Sequence, residues 1–409
     1  MRPSAHMATR IGGITELLIP LETAMLLIAN ESSKRTRTLV DVARELSLTL
    51  TYFGKPENLA GLLDGQSRRI VILTEPDITA DVVKRINIAG GKRQFGVIIA
   101  ADSKALRSSD KAELVDKLVE TANLQWVNPQ FNFDQLSTAT RGCRRRMLRL
   151  SREDLESAIE NTEFLLRYQP KVQRGSDTAW ETCEAEALLR WRHPVHGLVG
   201  PLEFLPEAEA FGLMGAISEY VLRDAAGQLV KWRNQGLLLN ACINLASSLL
   251  ADPTLPDQYE TIVNRFGLEC SNFSFEVSEQ ELTDPDAPHL KTLSVFREKG
   301  FRLCLDDFRV AAVSLGTFDR LPFDEIKIHA TALKRAQGDP VALQVLAAIT
   351  GLAHNLGMSV CAEGVEDQET FEFLKTIQCD KMQGFLISEA VLPKLLRRVY
   401  GPGAQENTA

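Results

Sequence analysis

Paired cysteines are missing from this chain. Seven are scattered through 409 residues, and no two stand in a C-x-x-C arrangement. That odd, unpaired set argues against a disulfide framework. It leaves Cys143, Cys183, Cys242, Cys270, Cys304, Cys361 and Cys379 as small buried hydrophobes in a reducing compartment. An excess of positive charge is missing too: 46 Lys and Arg against 54 Asp and Glu give a formal net charge of −8. A polymeric nucleic acid needs a basic face, so it is a poor partner. A small anionic ligand remains open, because bound metal ions can reverse a local field. The apolar patch over residues 17–28 is broken by Pro20 and Glu22. It is too short for a membrane span of about 20 residues and lacks a signal-peptide cleavage pattern. A cytoplasmic protein is expected, with a flexible leader over 1–21 and a tail over 401–409. Repeats and low-complexity tracts are absent, and 44% hydrophobic and 24% charged residues are ordinary for a globular chain. The length suits two domains or three small ones.

Strand and helix patterns alternate from the start. Short apolar runs at 24–30, 48–54, 69–75, 95–101 and 124–129 read as strands, with helical stretches at 33–46, 56–64, 79–89 and 109–122. Five such units predict a doubly wound, flavodoxin-like α/β domain over 22–138, with helices on both faces of a parallel sheet. A basic connector follows at 141–160, with a linker helix expected over 139–154. Ser151 and Asp154 form a capping pair, and Arg144, Arg145 and Arg146 read as a solvated helix face.

A second alternation begins near Glu163. Strand candidates at 164–171, 183–191, 241–246, 273–279, 301–307, 325–329, 358–363 and 381–387 predict a TIM-like (β/α)8 barrel over 155–400. Most of these runs carry a lone polar residue that a plain core strand has no use for: Glu186, Asn244, Glu276, Asp306 with Asp307, Lys327, Glu363 and Gln383. Charged groups are buried only when paired or bound to a cation, since desolvation costs several kcal/mol. The same anomaly on strand after strand implies one shared site at the C-terminal barrel face, and such oxygen donors suit hard cations.

The motifs in this half are ordered. Tyr168-Gln169-Pro170 comes first, then Glu186-Ala187-Leu188 running into Leu189-Arg190-Trp191, then His193-Pro194. Glu276 and Glu279 follow, then Asp306-Asp307-Phe308, Lys327, Ala362-Glu363-Gly364-Val365-Glu366 and Gln383-Gly384-Phe385. The series resembles an EAL domain, the family of phosphodiesterases that cleave cyclic di-GMP. The resemblance implies hydrolysis to pGpG with two Mg²⁺ or Mn²⁺ ions. Glu186, Asn244, Glu276 and Asp306 would hold one ion, and Asp306 with Asp307 the other. Lys327 would position the water or offset developing charge, and Glu363 would order the water or act as base. Gln169, Leu188, Arg190 and Gln383 would face the nucleotide, Arg190 being placed for a phosphate. Glu279 and Glu366 would support these groups from behind. A homodimer is also implied. The HxxH spacing of His193 and His196 is a weak zinc pattern, and the His-Pro turn accounts for it.

Three segments depart from the family pattern. After Asp307 the chain reads Arg309-Val310-Ala311-Ala312-Val313-Ser314-Leu315, where the family has a glycine-rich loop; Val and Ala resist the positive φ that Gly allows. His329 replaces the Asp of Lys-Ile-Asp, and Ile387-Ser388-Glu389-Ala390 replaces Ser-x-Pro. Two alternatives to the enzyme therefore stay open: a receptor that binds cyclic di-GMP without turnover, and a scaffold acting through protein contacts.

The N-terminal domain resembles a response-regulator receiver in its alternation. Ala29-Asn30-Glu31 stands where acidic Mg²⁺ ligands follow the first strand, Thr74 at the acceptor aspartate, Ala100 or Ala101 at the Thr or Ser position, and Asn128 at the lysine. The fold is then reused for dimerisation or partner binding. Acetyl phosphate is expected to label no aspartate of this domain; a labelled aspartate, seen by intact-mass shift and peptide mapping, would refute the degenerate-receiver reading.

Overall fold

The computed structural model describes residues 25–28, 36–45, 49–52, 58–59, 69–90, 95–103, 106, 109–121, 123–148, 150–175, 180–194, 196–278, 288–308, 322–336 and 339–400. Chain contacts group into two units, Met1–Phe164 with Arg190–Phe211, and Leu165–Leu189 with Gly212–Ala409. Among the described residues no helix is long and apolar enough to cross a membrane.

The first unit holds a parallel five-stranded sheet. Its strands are β1 (Met25–Ile28), β2 (Thr49–Tyr52), β3 (Arg69–Thr74), β4 (Phe95–Ala100) and β5 (Asn123–Val127), in the order β2-β1-β3-β4-β5. That is the flavodoxin-like order. Period-2 alternation splits the apolar residues between two cores. Leu27, Val71, Leu73, Val97 and Ile99 pack with the helices Ala80–Gly90 and Ala112–Thr121. Ile28, Ile70, Ile72 and Ile98 pack with the helices Thr36–Glu45 and Phe133–Leu148. Both faces are thereby covered, as a parallel sheet requires. Thr74 donates its backbone N–H and its hydroxyl to Asp77 Oδ2, at 2.8 and 2.6 Å, so Asp77 serves the turn after β3. The leader, the tail, residues 29–31 and most of 56–64 lie outside the described residues.

The connector is two helices. Phe133–Leu148 buries Leu136, Ala139 and Cys143 against the sheet. Arg152–Glu160 begins at Ser151 with the expected capping box: Ser151 Oγ accepts from Asp154 N at 3.2 Å, and Ser151 N donates to Asp154 Oδ2 at 2.8 Å. The reading of Arg144 as solvated is corrected. It is buried, its Nε lies 2.9 Å from Glu203 Oε2 on the helix Pro201–Ala210, and it also donates to Leu198 O. A buried partner carboxylate is the reason. Burial still pushes the Glu203 carboxyl up from its ordinary value, against Arg144, Arg141 and Arg190.

In a second sheet, β6 (Phe164–Arg174), β7 (Trp180–His193), β9 (Asn240–Asn244), β10 (Phe273–Ser278), β11 (Arg302–Phe308), β12 (Glu325–Ile328), β13 (Ser359–Ala362) and β14 (Lys381–Met382) form a closed barrel. A short β8 (Gly197–Val199) turns back antiparallel on β7. Pairing runs β6-β14-β13-β12-β11-β10-β9-β7, and β6 pairs with β7 to close the ring. One strand departs from an all-parallel (β/α)8 barrel: β6 runs antiparallel to β14. Helices such as Met214–Arg233 and Leu255–Arg265 separate later strands, whereas only residues 175–179 join β6 to β7, too few for a crossover helix.

Removing one partner of a buried ion pair costs about 3–5 kcal/mol, whereas replacing both by apolar groups is near neutral. Arg144→Met is expected to lower the unfolding free energy from urea titration by that order, and Arg144→Met with Glu203→Leu to recover most of the loss.

Candidate functional site

Strand alternation aims every second side chain inward, and the parallel register aligns the C-terminal strand ends. Glu276 sits opposite Asn244 on β9 and Cys304 on β11; Ser278 sits opposite Asp306. Lys327 is the hub. Its side chain is 2% exposed, and its Nζ lies 3.1 Å from Glu186 Oε2, 3.1 Å from Glu276 Oε1, 3.6 Å from Glu363 Oε2 and 3.8 Å from Asp306 Oδ1. Asn244 donates to Glu186 Oε1 at 3.0 Å, and Gln383 to Glu186 Oε2 at 2.8 Å and Gln169 Oε1 at 3.1 Å. Gln169 in turn donates to Ser388 O. The structure thus brings together Gln169, Glu186, Asn244, Glu276, Asp306, Lys327, Glu363 and Gln383.

Two glycines set the rim. Gly364 takes φ +74°, the left-handed region, directly after Glu363. A Cβ on Gly384 would stand 2.2 Å from Val365 N and O, so only glycine lets the segment after Gln383 reach that backbone. Val365 N donates to Gln383 O there at 3.0 Å.

Leu188 is half-buried on β7, and Glu366 is exposed beyond β13. Arg190 falls in the first unit, where its charge helps hold Glu203 ionised. Glu279, the Asp307 side chain and residues 309–321 lie outside the described residues. His193 Nδ1 accepts from His196 N at 3.2 Å, which fits the turn. Six of the seven cysteines are buried, Cys183 being half-buried, and all are free.

The polar residues on these runs are not lone. Two positions away on the same inward face, β6 carries Lys171 after Gln169, while β7 carries Glu184, β12 Glu325 and β14 Lys381 before Glu186, Lys327 and Gln383. Lys171, wholly buried, lies 2.9 Å from Glu276 Oε1, 3.4 Å from Glu184 Oε2 and 3.8 Å from Glu325 Oε1. Lys381 lies 2.7 Å from Glu325 Oε2 and 3.4 Å from Glu184 Oε2. A spacing of two residues from Gln169, Glu186, Lys327 and Gln383 is the sequence signal for them.

The charges divide unevenly. Burial would raise the Glu276 carboxyl, yet Lys171 and Lys327 hold it at about 2. Glu184 is likewise held at about 2, Lys171 and Lys381 outweighing burial. Burial pushes Asp306 up to about 7; Lys327 opposes, while Glu276, Glu363 and Glu186 add to the rise. Buried Glu276 Oε2 and Asp306 Oδ1 accept no hydrogen bond. Bare, buried carboxylate oxygens amid excess negative charge fit a hard divalent cation. Among the described residues no three Asp, Glu, His or Cys side chains close on one point as a finished metal site; Lys327 Nζ stands between them.

The family model described as "EAL domain" matches residues 152–390, more than half of the chain. The cyclic di-GMP phosphodiesterase PdeR of Escherichia coli K12 is 32% identical over 60% of this chain and 37% of its own length. The bifunctional diguanylate cyclase/cyclic di-GMP phosphodiesterase MucR of Pseudomonas aeruginosa is 36% identical over 57% of this chain and 34% of its own length. This chain thus spans about a third of the length of these curated relatives. The solved PaMucR phosphodiesterase, a c-di-GMP complex, superposes with a TM-score of 0.55 at 34% identity, over 60% of this chain and 98% of that one.

A carboxyl depressed in the folded state contributes stability above its unfolded value and loses it as pH falls through its folded value. For Glu184 and Glu276 that window runs from 4.5 down to about 2. Urea unfolding stability is expected to fall by a few kcal/mol across it, with a shallower pH slope in Glu184→Gln.

Proposed function

Because the chain belongs to the EAL-domain family, we propose that it is a cyclic di-GMP phosphodiesterase that hydrolyses one phosphodiester bond to give pGpG. The observation that carries this reading is the gathering of Glu186, Glu276, Asp306 and Glu363 around Lys327, with bare oxygens on Glu276 and Asp306. Glu186, Asn244, Glu276 and Asp306 would hold one Mg²⁺ or Mn²⁺ ion, and Asp306 with Asp307 a second. Two such ions lower the pKa of a bound water and offset charge on the attacking and leaving oxygens.

The chain's own residues do the rest. Asn244 spends its Nδ2 donor on Glu186 Oε1, which leaves its carbonyl oxygen as the free donor atom for a cation. Glu363, with 36% of its side chain exposed, is the carboxylate that water reaches, and it accepts the proton as water attacks phosphorus. The P–O3′ bond breaks and the departing oxygen takes a proton from solvent. Lys327, held charged by its carboxylates, offsets negative charge on the phosphoryl oxygens. Gln169 and Gln383, hydrogen-bonded to each other, line the nucleotide side with Leu188, and Arg190 binds a phosphate. Glu279 and Glu366 support the site. The N-terminal domain serves dimerisation or partner binding, and the proposed setting is the cytoplasm.

Two observations favour the receptor reading: Lys327 already occupies oxygens of Glu186 and Glu276, and the segment after Asp307 lacks the family's glycines. The deciding experiment is incubation with cyclic di-GMP and Mg²⁺ or Mn²⁺, with products separated by chromatography and Glu186→Ala as control. Accumulation of pGpG with wild type alone supports the enzyme. Tight nucleotide binding without pGpG supports the receptor, and no binding the scaffold. In the enzyme case Glu363→Gln is expected to lower kcat by about 10²–10⁴-fold, the range for a lost general base, with an unchanged melting temperature.

A further inference from the structure

Lys171 has no part in that chemistry, yet it lies wholly buried against it. Its ammonium approaches Glu276 Oε1 at 2.9 Å, and the ammonium of Lys327 approaches the same oxygen at 3.1 Å. Glu276 Oε2, also buried, accepts no hydrogen bond. The terminal torsion of a glutamate is soft and broad, so an unanchored carboxylate can swing its second oxygen away from any one direction. Two cations on one oxygen remove that freedom. We propose that Lys171 is a positioning residue that pins Glu276 Oε1, so that Oε2 is the oxygen offered to a divalent cation. The inference rests on reading Glu276 as a metal ligand.

The surroundings keep Lys171 in place without drawing on Glu276. Glu184 Oε2 lies 3.4 Å from both Lys171 and Lys381, and Glu325 reaches Lys171 at 3.8 Å and Lys381 at 2.7 Å. Two lysines and two glutamates make a neutral quartet. Cys242 Sγ takes a further proton of Lys171 Nζ at 3.2 Å, and Ser359 donates to Glu325 Oε2 at 3.1 Å. The charge of Glu276 is therefore left over for Lys327 and a cation. Hydrogen-bond partners behind metal ligands act in this way, fixing which lone pair faces the ion.

The test is Mn²⁺ binding to metal-free full-length protein, read from the electron paramagnetic resonance signal of free Mn²⁺, with circular dichroism as the check on folding. Lys171→Met alone strands buried carboxylates. Two charge-balanced variants are used instead, Lys171→Met with Glu184→Gln and Lys171→Met with Glu325→Gln, either of which suffices when folded. Each is expected to raise the Mn²⁺ Kd by about 10–100-fold, the effect of removing a partner behind a ligand. Lys381→Met with Glu325→Gln, which leaves Lys171 and Glu276 intact, should stay near the wild-type value. Wild-type Kd in a folded Lys171 variant, with Glu276→Gln clearly weakened, overturns the role of Lys171 alone. Absence of Mn²⁺ binding by wild type, or wild-type binding by Glu276→Gln, removes the metal-ligand reading and this inference with it.

Discussion

Interleaved lysine and glutamate charges fill the inside of the barrel, and the candidate site depends on them. Lys171, Lys327 and Lys381 stand among Glu184, Glu186, Glu276 and Glu325, all buried or nearly so. A single one of these charges would be expelled or neutralised by its desolvation cost. Alternation makes each tolerable because every buried charge has a counter-charge within about 4 Å, where Coulomb attraction in a poorly screened interior is strong. Small thiols at Cys242, Cys304 and Cys361 occupy the intervening inward positions. Longer side chains there would hold the ammonium groups apart from the carboxylates.

That alternation is incomplete at the mouth. Glu276 has two lysines, whereas Asp306 has only the distant Lys327 and three like charges around it. The imbalance separates a charge-balanced carboxylate layer from one with excess negative charge. Below, the charges of Lys171, Lys381, Glu184 and Glu325 cancel, although Glu184 and Glu325 each keep one oxygen without a hydrogen bond. Above, Asp306 and its neighbouring carboxylates outnumber Lys327, and added positive charge would be stabilised. A site that must take up cations reversibly needs this kind of deficit, since a fully neutral cluster would have nothing to gain from an ion.

Much of this was legible beforehand, for identifiable reasons. The inward polar residues Glu186, Glu276, Lys327 and Gln383 stood out because strand periodicity makes a polar residue in an apolar run costly. Ser151 and Asp154 were legible because a capping box is local. Glu325 and Lys381 are hidden because each directly follows an aspartate, Asp324 or Asp380, that blurs the start of the apolar run, and Lys171 and Glu184 because Pro170 and the polar stretch from Glu181 to Thr182 stand beside them. Arg144 was misjudged because an arginine run looks the same in sequence whether or not a carboxylate from a distant helix covers one member.

The sequence by itself determined the alternating α/β pattern, the two sheets, the family motifs and the residue types at the site, because these follow from short-range periodicity and spacing. Only the tertiary structure decided which charge meets which. The pairing of Lys171 with Glu276, the antiparallel entry of β6 and the bare oxygens of Glu276 and Asp306 depend on barrel closure. Closure brings together strands as far apart in the chain as β6 and β14, and no local pattern encodes a distance of that kind.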